Sequence, residues 1–395
     1  MVRTYIDEEA TPSVVSSPRC QFSSLALDLD LLISPSSQEQ VFQTLLARRN
    51  GSVLSRTKVL KSEHFGDYRT AGIDINLLGA PNFRQANLNV FGVAQPTIPG
   101  LATVLRLLRC GPFHEIPDDN TNPDSSSCQT CTWFSTREEP LIYINGRPFV
   151  LRDRESPFEN IRSYAGISAT RLEQMEKRLK ADIVEEAARN NGILLVHDEV
   201  EEHTIVPCLT AIEEVRTTAE VFADMKLAGF NVDYSRVPIS SEQAPTDAFI
   251  DEYVRIFQAM PCSQHAIIFS CGIGVGRTTF AMVVGMILRR TLLLDTIGKD
   301  AFNIEYEEPL EEKTTKSVLR LVSVLEQGLQ DPSETGITAV EWTLARKDQI
   351  DNLKAALLGN YQVIVELVRA LDQGARCKRI VDEAINRCTL SSFKF

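Results

Sequence analysis

Between Ala266 and Arg290 the chain reads AIIFSCGIGVGRTTFAMVVGMILRR. An apolar run ending at Ser270, glycines at 272, 274 and 276, and an apolar helical pattern beyond them describe a buried strand, a tight loop and a helix start. Glycines let the backbone curl with its N-H groups inward, and a helix N-terminus adds positive potential at the same place, so the segment is an anion cradle. Its spacing narrows the chemistry. A Walker A loop needs two glycines five apart followed by Lys and Ser or Thr, and a dinucleotide loop needs G-x-G-x-x-G; Gly272, Gly274 and Gly276 followed by Arg277 satisfy neither. The pattern that fits is Cys271, five residues, Arg277 and Thr278. It puts a thiol at the floor of the cradle, with the amides of Gly272, Ile273, Gly274, Val275 and Gly276 around a bound phosphoryl group. Such amides and a helix end favour the nucleophilic thiolate. Arg277 can hold two phosphoryl oxygens in a fork as charge redistributes in the transition state. Thr278 is placed to hydrogen-bond the sulfur as it leaves a phosphocysteine. The plain alternative is a Gly-rich strand-to-helix turn around an inert buried cysteine.

The elements that must position this loop follow from periodicity. Ser37 and Gln40 read as the capping box of a helix with Val41, Phe42, Leu45 and Leu46 on one face, stopped at Gly51. Residues 88–94 alternate as a strand, Thr97 and Pro99 open a leucine-rich helix, and 111–131 is a polar loop. Asn145-Gly146 inside LIYINGRPFVL predicts a type I′ hairpin. Thr170 and Glu173 predict the cap of a helix whose face is Leu172, Met175, Leu179, Ile183 and Ala187, followed by the strand ILLVH. A helix over 217–228 feeds the strand FNVDYSRV, and a helix over 247–259 precedes AIIFS. This alternation predicts an α/β fold with a mostly parallel central sheet flanked by helices. Beyond the acidic stretch after Glu305, residues 314–390 read as helical, one face ending at Gly374.

The 395 residues carry 41 basic and 53 acidic side chains, a formal charge of −12. That balance argues against nucleic acid and anionic membranes as partners, since both need a broad basic footprint. Any anionic ligand must be held by a local pocket. No stretch has the roughly 18 consecutive apolar residues of a membrane span. Nine irregularly spaced cysteines suit a reducing compartment, so a cytoplasmic protein is expected. Cys128 and Cys131 form a lone CxxC without the second pair that zinc requires. His197 and His203 lie among Asp198, Glu199, Glu201 and Glu202, a cluster that suits either a cation or a solvated strand end.

The loop ends in GRTT, and it resembles the signature loops of the protein-tyrosine-phosphatase-like phytases and paladins. So do GAPNFR at 79–84, REEP at 137–140 with the following YINGRPFVLR, RVP at 236–238 and QAP at 243–245. The resemblance implies a cysteine-phosphatase-like fold over 37–305, a loosely ordered arm over 1–36 and a helical C-terminal extension over 306–395. The chain is similar to one unit of proteins that string several together, which makes neighbouring repeat units possible partners. The implied function is phosphomonoester hydrolysis through a phosphocysteine, with inositol polyphosphates as substrates and phosphoproteins as the other ligand class. Neither metal nor organic cofactor is implied. Arg84 and Arg137 fall in segments that border the family's substrate pocket. The family's general acid, an aspartate, falls at Ser241 here, so Glu242 is its stand-in, and Asp247 reads as a first-turn helix acid. That departure keeps a second reading open: a weak or inactive phosphatase-fold module that binds phosphorylated ligands or scaffolds partners.

Overall fold

The computed structural model describes residues 35–63, 75–112, 129–201, 204–240, 247–260, 265–302 and 374–390. The expected arm before residue 35, most of the polar loop with Cys128, His203, the 241–246 stretch with Ser241 and Glu242, and the helices expected between 303 and 373 lie outside these. In chain order the elements are α1 (Pro35–Arg48), β1 (Lys58–Ser62), β2 (Ile75–Leu77), β3 (Ala80–Ala86), β4 (Val90–Val93) and α2 (Ile98–Leu107). They continue with β5 (Cys131–Ser135), β6 (Leu141–Ile144), β7 (Arg147–Asp153), α3 (Ala169–Arg189), β8 (Ile193–Glu201), β9 (Thr204–Ala211) and β10 (Val215–Thr217). The last are α4 (Thr218–Leu227), β11 (Val232–Arg236), α5 (Asp247–Gln258), β12 (Ala266–Ser270), α6 (Gly276–Ile297) and α7 (Gly374–Leu390).

Strands β11, β5, β12 and β4 run parallel, and β3 and β2 extend them antiparallel. This is the expected central sheet. Every residue of β12 is buried, as an apolar run covered on both faces must be. On one face α2 and α4 bring Leu101, Val104, Leu105, Val221 and Phe222; on the other α5, α6 and α7 bring Phe257, Met282, Met286 and Ala384. Each fully buried valine, leucine, phenylalanine or methionine among them stabilises by about 1.5–3 kcal/mol. The register aligns Arg236, Ser135, Ser270 and Val93 across the four parallel strands. Their connections therefore leave along one sheet edge, where open α/β sheets hold ligands.

A second sheet, in the order β10, β6, β7, β1, β8, β9, is antiparallel except for the β1–β8 pair. It contains the expected hairpin, with φ of 49° at Asn145 and 78° at Gly146. Helix α3 covers one face, packing Leu179 and Ile183 on Leu60, Phe149, Leu151 and Val196. Its cap is Ser168, whose hydroxyl accepts from Arg171 N, and not Thr170. Met175 is only half-buried, because the inward position next to it holds Glu176. That carboxylate accepts from Leu141 N at 2.9 Å and Arg236 Nη1 at 2.8 Å, tying β6 of one sheet to β11 of the other.

Gly374 opens the described helix α7, where the pattern predicted a helix end. Arg387 of α7 donates to the carbonyls of Ala301 and Phe302, and its guanidinium lies 4.5 Å from the Phe302 ring centre, with Arg290 at 5.3 Å. Phe302→Ala is expected to destabilise the protein by about 3–5 kcal/mol, measured by urea unfolding, because it empties this buried anchor.

The second sheet also carries ion pairs. Asp198 pairs with Arg147 and Glu199 with Lys61, and no group of three or more His, Cys, Asp or Glu suited to a metal occurs among the described residues. Burial, then Arg49 and Arg154, lower the His197 pKa from 6.5 to about 4. Between these values the unfolded chain binds a proton that the folded chain refuses. The associated stability, about 3 kcal/mol at most, is therefore complete above pH 6.5 and lost as pH falls to about 4. His197→Phe is expected to flatten the dependence of unfolding free energy on pH across this window. No helix among the described residues is long and apolar enough to cross a membrane.

Candidate active site

The loop after β12 is shaped by donors that hold three consecutive carbonyls. Gln95 N reaches Gly272 O at 2.9 Å, Asn82 Nδ2 reaches Ile273 O at 2.7 Å, and Arg84 Nη1 reaches Gly274 O at 2.7 Å. In a trans peptide the N-H points opposite to the carbonyl, so the amides of Ile273, Gly274 and Val275 face the concave side. Gly274 N accordingly donates to Cys271 Sγ at 3.1 Å, which places the sulfur, in a residue only 4% exposed, at the floor of the cradle. Gly274 sits at φ 80°, and a Cβ there would stand 2.4 Å from Ala94 N. Only glycine lets the loop lie this close to the chain leaving β4. Val275 supplies no side-chain cap to α6, so the first-turn N-H groups of that helix add to the same positive end.

Arg277 stands where the spacing predicts, and its donors can be counted. Nη1 gives its hydrogens to Glu139 Oε2 at 3.2 Å and Ile239 O at 3.3 Å, and Nη2 gives one to Glu139 Oε1 at 2.8 Å. A guanidinium has five N-H donors. Among the described residues the Nε hydrogen and one Nη2 hydrogen meet no acceptor, on one edge of the fork, in the geometry that grips two phosphoryl oxygens.

Other expected contacts fall differently. The Thr278 hydroxyl is buried without a hydrogen-bond partner among the described residues, and it does not touch the sulfur. Its side chain faces β4, with Cγ2 2.8 Å from where a Cβ on Gly92 would be. Arg84 lies behind the loop and not in the pocket: besides Gly274 O it donates to Asn82 O and to Thr279 Oγ1 at 2.9 Å. Burial lowers its pKa to about 10, with Cys271 acting in the opposite sense. Arg137 is also internal, donating from Nη1 and Nη2 to Glu63 at 3.0 and 3.3 Å and from Nε to Glu139 at 3.3 Å. It still borders the loop, because its Nη1 is 3.5 Å from a Cβ position on Gly272. Ser270 accepts from Trp133 Nε1 at 2.9 Å and donates to Phe134 O, so it braces the sheet. Glu242, the expected stand-in acid, lies outside the described residues.

Two carboxylates beside the cradle were not singled out by spacing. Glu139 sits inside the REEP segment, but Glu63 follows β1 of the second sheet and carries no sequence signal. Burial alone would raise both pKa values. Arg277 and Arg137 instead hold Glu139 far below the usual carboxylate range, and Arg137 and Lys61 hold Glu63 at about 2. Both stay ionised at neutral pH, so neither can serve as the proton donor to a leaving oxygen.

The model of the protein-tyrosine-phosphatase-like phytase family, described by inositol hexakisphosphate, matches residues 134–289. Paladin of Mus musculus is 27% identical over 321 residues, 76% of this chain and 34% of that protein. Paladin of Homo sapiens is 27% identical over 228 residues, 53% of this chain and 25% of that protein. The chain thus spans about a third or less of the length of these relatives. Among solved structures, the PTP-like myo-inositol phosphatase of Mitsuokella multacida, in complex with myo-inositol-(1,3,4,5)-tetrakisphosphate, is 16% identical with a TM-score of 0.42, covering 74% of this chain and 48% of that one. A PTP-like phytase of Bdellovibrio bacteriovorus is 15% identical with a TM-score of 0.38, covering 85% and 88%.

Proposed function

We propose that this relative of the protein-tyrosine-phosphatase-like phytases and paladins is a cysteine-dependent phosphomonoester hydrolase. The observation that carries the reading is an edge of the Arg277 fork that meets no acceptor among the described residues, beside a cradle whose inward amides converge on the Cys271 sulfur. The Cys271 thiolate attacks phosphorus and the ester oxygen leaves with a proton. Water then attacks the phosphocysteine, giving its proton back to the acid, releasing inorganic phosphate and restoring the thiolate. Arg277 and the loop amides hold the equatorial oxygens through both steps. Inositol polyphosphates are the substrate class, taken from the family whose model matches 134–289. Acid assistance falls to the 241–247 stretch, with Glu242 the nearest carboxylate to the expected position. A cytoplasmic location suits a reactive thiol, and further phosphatase-like units are its natural neighbours in a longer chain.

A second reading is favoured by one observation: Ser241 replaces the expected acid, and the carboxylates beside the cradle are locked in ion pairs. On that reading the site binds phosphate esters without turning them over. The two are separated by incubating the protein and Cys271→Ser with inositol hexakisphosphate and with para-nitrophenyl phosphate. Phosphate release by the wild type alone supports catalysis, whereas tight binding by both proteins without release overturns it. Release from the aryl ester only would locate the defect in the general acid, since its leaving group needs no proton.

A further inference from the structure

Glu63, Arg137, Glu139 and Arg277 form a chain of alternating charge from the end of β1 to the first turn of α6. Its side chains are 7%, 1%, 3% and 15% exposed. Glu139 Oε2 is shared, accepting from Arg137 Nε at 3.3 Å and from Arg277 Nη1 at 3.2 Å. Two guanidiniums thus compete for one oxygen. Arg137 is kept from taking more of Glu139 by its far end, where both Glu63 oxygens grip Nη1 and Nη2. Glu63 is itself fixed by its backbone N-H, which donates to Pro148 O at 3.0 Å.

We propose that Glu63 is a positioning residue for the phosphate site: by anchoring Arg137 it leaves Glu139 free to orient Arg277 for the cradle. The proposal rests on the phosphatase reading above. Without the Glu63 charge, Arg137 keeps Glu139 as its main counter-ion and closes on it, and Arg277 loses its Nη1 contact and turns. Phosphate affinity depends mainly on net charge, and removing a carboxylate makes the site more positive, so affinity holds or improves. The transition state depends on placement, and a shift of about 1 Å can cost about 10²-fold in rate. A fall in kcat without weaker phosphate binding is therefore the signature, whereas general damage lowers both.

The test compares the wild type, Glu63→Gln and the double variant Glu63→Leu with Arg137→Met. The double variant removes both outer charges and leaves the Glu139 and Arg277 pair by itself. kcat is measured with para-nitrophenyl phosphate and the Kd for inorganic phosphate by calorimetry. Glu63→Gln is expected to lose about 10²-fold in kcat with Kd unchanged or lower, and the double variant to recover about tenfold. Loss of kcat and phosphate binding together, a kcat within about twofold of wild type in Glu63→Gln, or a double variant no better than the single would overturn the role of Glu63. Should Glu63→Gln not fold, the double variant decides: kcat within about tenfold of wild type supports the role, and a deeper loss refutes it. A wild type that neither binds phosphate nor releases it overturns the phosphatase reading and this role with it. An active wild type with an unaffected variant overturns the role of Glu63 alone.

Discussion

Arg277→Lys is expected to lower kcat for para-nitrophenyl phosphate by about 10²–10³-fold, the loss seen when a transition-state donor is removed from an oxyanion site. Lysine keeps the positive charge, so inorganic phosphate should still bind, and the defect should lie in kcat more than in Kd. The physical cause is the shape of the donor set. Arg277 spans both oxygens of Glu139 at 2.8 and 3.2 Å and has a second edge that meets no acceptor among the described residues. An ammonium is a single point that must choose between the two. The Tm should also fall, because Glu139 stays buried and ionised with Arg137 as its remaining strong partner. An unchanged kcat would remove Arg277 from the mechanism.

Gly274→Ala is expected to abolish both phosphate binding and turnover and to destabilise the protein by more than about 2 kcal/mol. A left-handed backbone costs an alanine about 1–2 kcal/mol. At this position the added methyl would also press on main chain, 2.4 Å from Ala94 N and 2.7 Å from Ala94 Cα, where no side chain can rotate away. Relief requires the loop to lift from β4. That motion breaks the carbonyl contacts of Asn82 and Arg84 and turns the amides out of the cradle. Gly276→Ala is the control, since a Cβ there meets nothing within 4 Å, and its stability should stay within about 0.5 kcal/mol of wild type. Equal stability of the two variants would refute the account of the loop.

The sequence by itself determined the cradle and the layer that carries it. A strand, a glycine loop and a helix start are local features, so Ala266–Ser270, Cys271 at the strand end and Arg277 in the first turn of α6 were all legible from residue types and spacing. The hairpin at Asn145-Gly146 was legible for the same reason, because positive φ is a property of the residues themselves. Pairing between distant segments was not. β1 is five residues, KVLKS, with too little periodicity to read as a strand alone, and β7 and β8 define it by pairing on either side. Only the tertiary structure therefore brought Glu63 to Arg137, turned Arg84 to the back of the loop and Thr278 toward β4, and set Glu139 across the Arg277 fork. A buried guanidinium takes whichever carboxylate the fold places beside it, and that choice is made by the packing of two sheets against each other.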